Sequence, residues 1–221
     1  MRRTLMYSLA GLLGLPLIGV FLFAALQPIK VLPRLRLAPG FALTDQDGRT
    51  VSSDDLRGKI TLYTFTYTRC VDPCQDPTAL LREVQAALAE PDLRDAPIQL
   101  VTITVDSERD TPAALRRYGE AVGADFARWT FLTGDEVRLR QAVMGGFDVL
   151  YRPLPDGSLD LDTRLWLADG WGILRAEYAQ YLPTTARLLR DLRLVAAETR
   201  NSEGLAKYAY EAAHLFGCYS E

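Results

Sequence analysis

Apolar positions in this chain run in blocks, and the first block is the longest. From Leu5 to Leu26 the only polar side chains are Tyr7 and Ser8. A helix needs about 20 apolar residues to cross a bilayer, so residues 1–27 are expected to form a signal-anchor transmembrane helix. Gly11, Gly14, Pro16 and Gly19 are tolerated in such spans. A cleaved signal peptide is the competing assignment, with Ala24-Ala25 as its cleavage candidate. Its apolar core is usually about 7–15 residues, shorter than this run. Arg2 and Arg3 place the N-terminus in the cytoplasm and the rest of the chain outside, although Lys30, Arg34 and Arg36 follow the run. Residues 28–40, with Pro28, Pro33 and Pro39, read as an extended linker.

Beyond the linker the pattern changes to short strands and amphipathic helices. Phe41–Asp45 and the turn at Asp47-Gly48 predict a hairpin, and Ser52–Leu56 has helix-capping chemistry ended by Gly58. Ile60–Thr66, β-branched and aromatic, reads as a buried strand. A loop holding Cys70 and Cys74 follows, then a helix over 77–89 with Leu80, Leu81, Val84 and Leu88 on one face. Ile98–Val105 is a second apolar strand. Asp110-Thr111-Pro112 opens a helix to Val122, with Asp110 taken as its cap. Strands are expected at 129–132 and 147–151 with a helix between them at 135–144. A hairpin turns at Asp169–Gly172, and an amphipathic helix covers 183–198. This alternation predicts an α/β fold, a mixed sheet flanked by helices. Residues 41–198 form its domain. The tail, residues 199–221, forms a short helix over 205–216.

The net charge of −3 gives no basic face for nucleic acid. Zinc is disfavoured, because a closed structural site takes four Cys or His ligands and the whole chain holds three Cys and one His.

Cys70 and Cys74 lie between a strand end and a helix start, where unpaired helix N–H groups and Arg69 favour thiolate over thiol. Two cysteines four apart meet the geometry of a disulfide and also converge on a soft ion such as Cu(I). A structural disulfide, redox work and metal binding all fit this pair. A peroxidase of the peroxiredoxin type expects Thr or Ser three residues before the reactive cysteine; here that residue is Tyr67.

Four pieces of sequence, in order, resemble the SCO/SenC family. They are Phe41-x-Leu-x-Asp-x-x-Gly48; Gly58-Lys59 followed by a strand and Tyr67-Thr68-x-Cys70-x-x-x-Cys74; Val105-Asp106-Ser-Glu-Arg109-Asp110-Thr111-Pro112; and Phe131-Leu-Thr-Gly134. The resemblance implies a thioredoxin-like fold over Phe41 to about Leu194. It also implies a membrane-anchored, extracytoplasmic protein that assists assembly of a copper centre in cytochrome c oxidase. Its client would be a copper-containing oxidase subunit or another copper chaperone, and Cys70 and Cys74 would be the Cu(I) ligands.

Two features depart from that family. Its distal histidine, a third copper ligand, is expected near Leu161, and no histidine occurs in that segment; Asp160 and Asp162, poor soft-metal ligands, stand beside it as surface turn residues. The proline after the first cysteine is replaced by Val71. His214 and Cys218, four apart in the tail, are the substitute ligands that the sequence offers, against a plain amphipathic helix with Leu215 and Phe216. Asp106, Glu108 and Asp110 receive no chemistry, and Arg109 is expected in a local ion pair. Loss of the histidine shifts weight from a metallochaperone toward a thiol–disulfide reductase acting through the same thiols; an assembly scaffold with only a structural disulfide is a further alternative.

Overall fold

The computed structural model describes residues 29–70 and 74–216. They fall into two compact units: Arg34–Thr199, and a second made of the chain on either side. The apolar N-terminal run and Cys218 lie outside the described residues. Among the described residues, no helix is long and apolar enough to cross a membrane.

The strands of the larger unit are β1 (Arg36–Leu37), β2 (Ala42–Asp45), β3 (Thr50–Ser52), β4 (Ile60–Thr66), β5 (Ile98–Thr104), β6 (Trp129–Thr133), β7 (Tyr151–Pro153), β8 (Leu159–Leu161), β9 (Arg164–Ala168) and β10 (Ile173–Ala179). Among the described residues, eight of these form one sheet in the order β1-β10-β9-β4-β5-β6-β2-β3, while β7 and β8 pair apart from it. β4, β5 and β6 run parallel, and β9 joins β4 antiparallel. The mixed α/β sheet expected from the sequence is therefore present. Its helices are α1 (Thr78–Ala87), α2 (Pro112–Ala121), α3 (Glu136–Arg140) and α4 (Thr185–Arg200). In the second unit, α5 spans Gly204–Phe216, and the Asn201 side chain donates to the Tyr210 hydroxyl at 3.3 Å.

Every residue of β4 and β5 is buried, as central strands of a sheet covered on both faces must be. One face of β4 places Tyr63 and Phe65 against Phe147, with ring centroids 4.8 and 5.2 Å apart. Val101, Ile103, Leu139, Val143 and Trp166 complete that core. On α2, a Cβ added at Gly119 would come within 2.6 Å of the Phe126 ring and 3.0 Å of Phe131. That close approach lets α2 lie on β6.

The expected strand at 147–151 is corrected. Phe147 and Val149 are buried, as their alternation requires, yet their N–H groups bond to Ala142 and Val143. Asp148 between them has φ 57°. The stretch therefore closes a π turn over Gln141–Gly146, which also takes the C-terminal part of the helix expected at 135–144, and pairing begins only at Tyr151. The apolar pattern carried no signal for β8, whose partner β7 starts later than expected.

Candidate functional site

β4 ends at Thr66, and the Val105 N–H bonds to the Thr66 carbonyl at 3.0 Å, so the loop that follows leaves from a fixed point. A turn closes there, with the Cys70 N–H bonded to the Tyr67 carbonyl at 2.9 Å. Cys70 and Cys74 are joined in a disulfide with their Cα atoms 5.4 Å apart. Both are half-buried and pack against the core that holds Tyr67, Phe65 and Val105; Tyr151, Leu159 and Leu161 pack on the same core.

Two carboxylates bracket the pair. Asp110 is fully buried. It accepts from the Thr68 N–H at 3.0 Å, from the Thr68 hydroxyl at 2.5 Å and from the Thr104 hydroxyl. The expectation that Asp110 caps a helix is thus corrected. Thr111 is the cap of α2, its hydroxyl accepting from the Ala114 N–H at 3.3 Å, and Asp110 ties β5 to the cysteine loop. On the other side, Asp76 accepts from the Thr78 N–H at 3.1 Å, the Thr78 hydroxyl at 2.6 Å and the Tyr118 hydroxyl at 3.1 Å. Burial pushes the Tyr118 phenol well above its usual range, so it stays a donor to Asp76.

α1 starts at Thr78, four residues beyond Cys74, and Asp76 takes the Thr78 N–H. One N–H of the first turn is thus taken by a carboxylate.

Arg69 and Tyr67 bind the loop to the β7–β8 hairpin. The Arg69 guanidinium donates to the Gly157 carbonyl at 3.1 Å and lies 3.6 Å from Asp106. Asp106 also pairs with Arg109 at 3.4 Å, the local ion pair expected for that residue. The Tyr67 hydroxyl donates to the Leu159 carbonyl at 3.3 Å and accepts from the Leu159 N–H at 3.2 Å. A tyrosine three residues before Cys70 is visible in sequence, but its partner depends on a hairpin that the hydropathy pattern hides. Beside this clasp lies a groove of about 490 Å³, lined by Asp106, Arg109, Met144, Tyr151 and Leu159 among others.

Leu161, where the resemblance expects a histidine, lies on β8 as an apolar residue packed on the core. Asp160 pairs with Arg152 and Asp162 with Arg164, both at 2.9 Å, so each carboxylate has a cation already; Asp160 is part of β8 rather than a turn. His214 is on α5, in the second unit, and Cys218 lies outside the described residues. Among the described residues, no group of three or more His, Cys, Asp and Glu is placed to hold a metal ion. Once reduced, the pair offers two soft sulfur donors, which suit Cu(I) far better than a hard ion.

Comparison with known proteins adds a lineage. The SCO1/SenC family profile matches residues 31–194. The SCO1 protein homolog of Bacillus subtilis is 30% identical over 119 residues, 53% of this chain and 60% of that protein. The mitochondrial SCO2 homolog of Bos taurus is 40% identical over 147 residues, covering 63% of this chain and 53% of the relative. The chain thus spans between half and two thirds of the length of these curated relatives. Among solved structures, a SCO1/SenC family lipoprotein from Bacillus anthracis superposes with a TM-score of 0.64 at 27% identity, over 73% of this chain and 95% of that one. ScoI from Bradyrhizobium japonicum, solved with copper bound, superposes with a TM-score of 0.59 at 30% identity, over 72% of this chain and 99% of that one.

Proposed function

The chain belongs to the SCO1/SenC family, and from that premise we propose that it carries Cu(I) between Cys70 and Cys74 for assembly of a copper centre in a respiratory oxidase. The observation that carries the reading is the thiol pair itself, two soft donors on neighbouring backbone positions at the end of a rigid central strand. Copper here is cargo. Its loading requires that the disulfide first be reduced, with two electrons and two protons supplied by an external dithiol that becomes oxidised. Cu(I) then binds as the two thiols release their protons. Asp110, Tyr67 and Arg69 fix the stretch that leads into Cys70.

The apolar run Leu5–Leu26 supports a membrane anchor, with the domain on the extracytoplasmic side of the cytoplasmic or inner membrane. Such a place fits a chain whose cysteines alternate between thiol and disulfide.

A second reading is thiol–disulfide exchange without stable copper. One thiolate attacks a client disulfide, and the other resolves the mixed disulfide, leaving the client reduced and Cys70–Cys74 oxidised. Leu161, in place of a third ligand, is the observation that favours it. The two readings separate in a transfer assay. Reduced, Cu(I)-loaded protein is mixed with the metal-free copper domain of an oxidase subunit, and copper is measured on each partner after separation. Copper moving to the oxidase domain supports the carrier; copper that is never held, with client disulfides reduced one for one, supports the reductase.

A further inference from the structure

One end of the sheet is apolar where solvent would be expected. Trp171, in the turn between β9 and β10, is 77% exposed; Leu35 and Leu37 are 48% and 63% exposed. These residues are neighbours in the fold. Leu37 pairs with Ile173 across the β1–β10 ladder, the Leu35 N–H bonds to the Leu174 carbonyl, and the Ala38 N–H bonds to the Gly172 carbonyl, each at 2.8 Å. Arg36, between the two leucines, turns to the other face, with its guanidinium 5.0 Å over the Trp166 ring. Leu35 and Leu37 therefore share the face opposite to it.

Glycine shapes the turn. Gly172 has φ 71°, and the Arg57 guanidinium lies so close that a side chain there would strike it. The Arg57 guanidinium thus packs against Gly172, the residue after Trp171, and lies 3.8 Å from Asp54. An indole, two aliphatic side chains and a guanidinium make the residue set of a membrane–water interface, where aromatic rings sit at headgroup level and arginine meets phosphate.

From this placement we infer that the sheet end carrying Leu35, Leu37 and Trp171 rests on the lipid surface and points the dithiol away from it. The inference rests on the anchored reading above. Chain length supports the bilayer as occupant. Leu35 follows Leu26, the last residue of the apolar run, by nine residues, which reach at most about 30 Å when extended. An anchored chain must keep this end of the sheet close to the membrane.

Topology sets the orientation of the site. The Gly58 N–H, just before β4, bonds to the Gly170 carbonyl at 2.8 Å, so the Trp171 turn flanks the start of β4. The cysteine loop follows the other end of the same strand. Seven residues of β4 at about 3.3 Å each separate the two ends by roughly 20 Å. The lipid contact would fix the height at which the thiols meet a client.

The test uses the full chain reconstituted in vesicles of mixed phosphatidylcholine and phosphatidylglycerol, with and without bromine on the acyl chains near the headgroup. Trp129 and Trp166 are buried and supply the unquenched background. The expected result is bromine-dependent quenching that vanishes in Trp171→Phe and is reduced in Leu35→Asp/Leu37→Asp. A carbonate wash run in parallel reads the anchor separately. Protein that stays with the vesicles but shows no quenching specific to Trp171 overturns the docked face and leaves the anchor standing. Protein released by the wash overturns both. Trp171 shielded from aqueous iodide without lipid quenching would place a protein, such as a second copy, on this face and likewise overturn the inference.

Discussion

The Tyr67 hydroxyl engages both backbone groups of Leu159, donating to its carbonyl at 3.3 Å and accepting from its N–H at 3.2 Å. This one side chain joins the loop before Cys70 to the strand that holds Leu161. Replacing Tyr67 by Phe keeps the ring in the core and leaves the two backbone groups without it. The variant is expected to lose about 1–2 kcal/mol of stability in denaturant unfolding, and the Leu159 amide is expected to exchange its hydrogen faster than in the parent. An unchanged exchange rate at Leu159 would show that the clasp contributes nothing.

Asp110 and Thr111 are adjacent but do different work. Asp110→Ala strips a buried acceptor from the Thr68 N–H and two hydroxyls. It is expected to cost about 3 kcal/mol and to raise the proteolytic sensitivity of the cysteine loop. Thr111→Ala removes only the cap of α2 and is expected to cost about 1 kcal/mol with the loop unaffected. Equal costs in chemical denaturation, with equal loop sensitivity, would contradict this division.

The strands, helices and their order were largely legible in the sequence, because β4 and β5 are β-branched runs and α1, α2 and α4 have one apolar face. The thiol pair was legible for the same kind of reason, being local. What was not legible depends on contacts far apart in sequence. Asp110 stands next to a helix start, as a cap would, and only the approach of β4 to β5 turns its carboxylate onto Thr68, 42 positions away. Phe147 and Val149 alternate as a strand would, but Asp148 adopts a left-handed conformation beside Arg36, to which it pairs at 2.8 Å. Tyr67 carries no signal for a clasp until β8 is in place.

Leu161 tests how far the missing imidazole limits the site. If β8 faces the thiol pair as the family resemblance implies, Leu161→His restores a nitrogen ligand. Cu(II) affinity is then expected to rise, because imidazole suits copper, while Cu(I) binding, governed by the thiolates, changes less. Spectroscopic titration with Cu(II) reads this directly; equal Cu(II) affinity in both proteins would place residue 161 out of reach of the metal.

Alkaline stability follows from the buried phenols. Burial holds Tyr63, Tyr118 and Tyr178 above the ordinary value of 10.0, with Asp191 adding to the effect at Tyr178. A phenol whose pKa is raised on folding contributes stability that is complete below pH 10.0 and is lost as the pH climbs toward its folded value. Tyrosinate absorbance followed with circular dichroism is therefore expected to show these three buried phenols ionising only as the fold is lost. Full ionisation with an intact spectrum would contradict the burial argument.

The most direct test of the account is an anaerobic Cu(I) titration of the reduced protein against a chromophoric chelator, run beside the Cys70→Ser/Cys74→Ser variant. The account predicts tight binding of one Cu(I) per chain in the parent and its loss in the variant, with each single substitution also abolishing delivery. Weak or absent binding by the fully reduced parent would contradict it and leave thiol–disulfide exchange as the work of this pair.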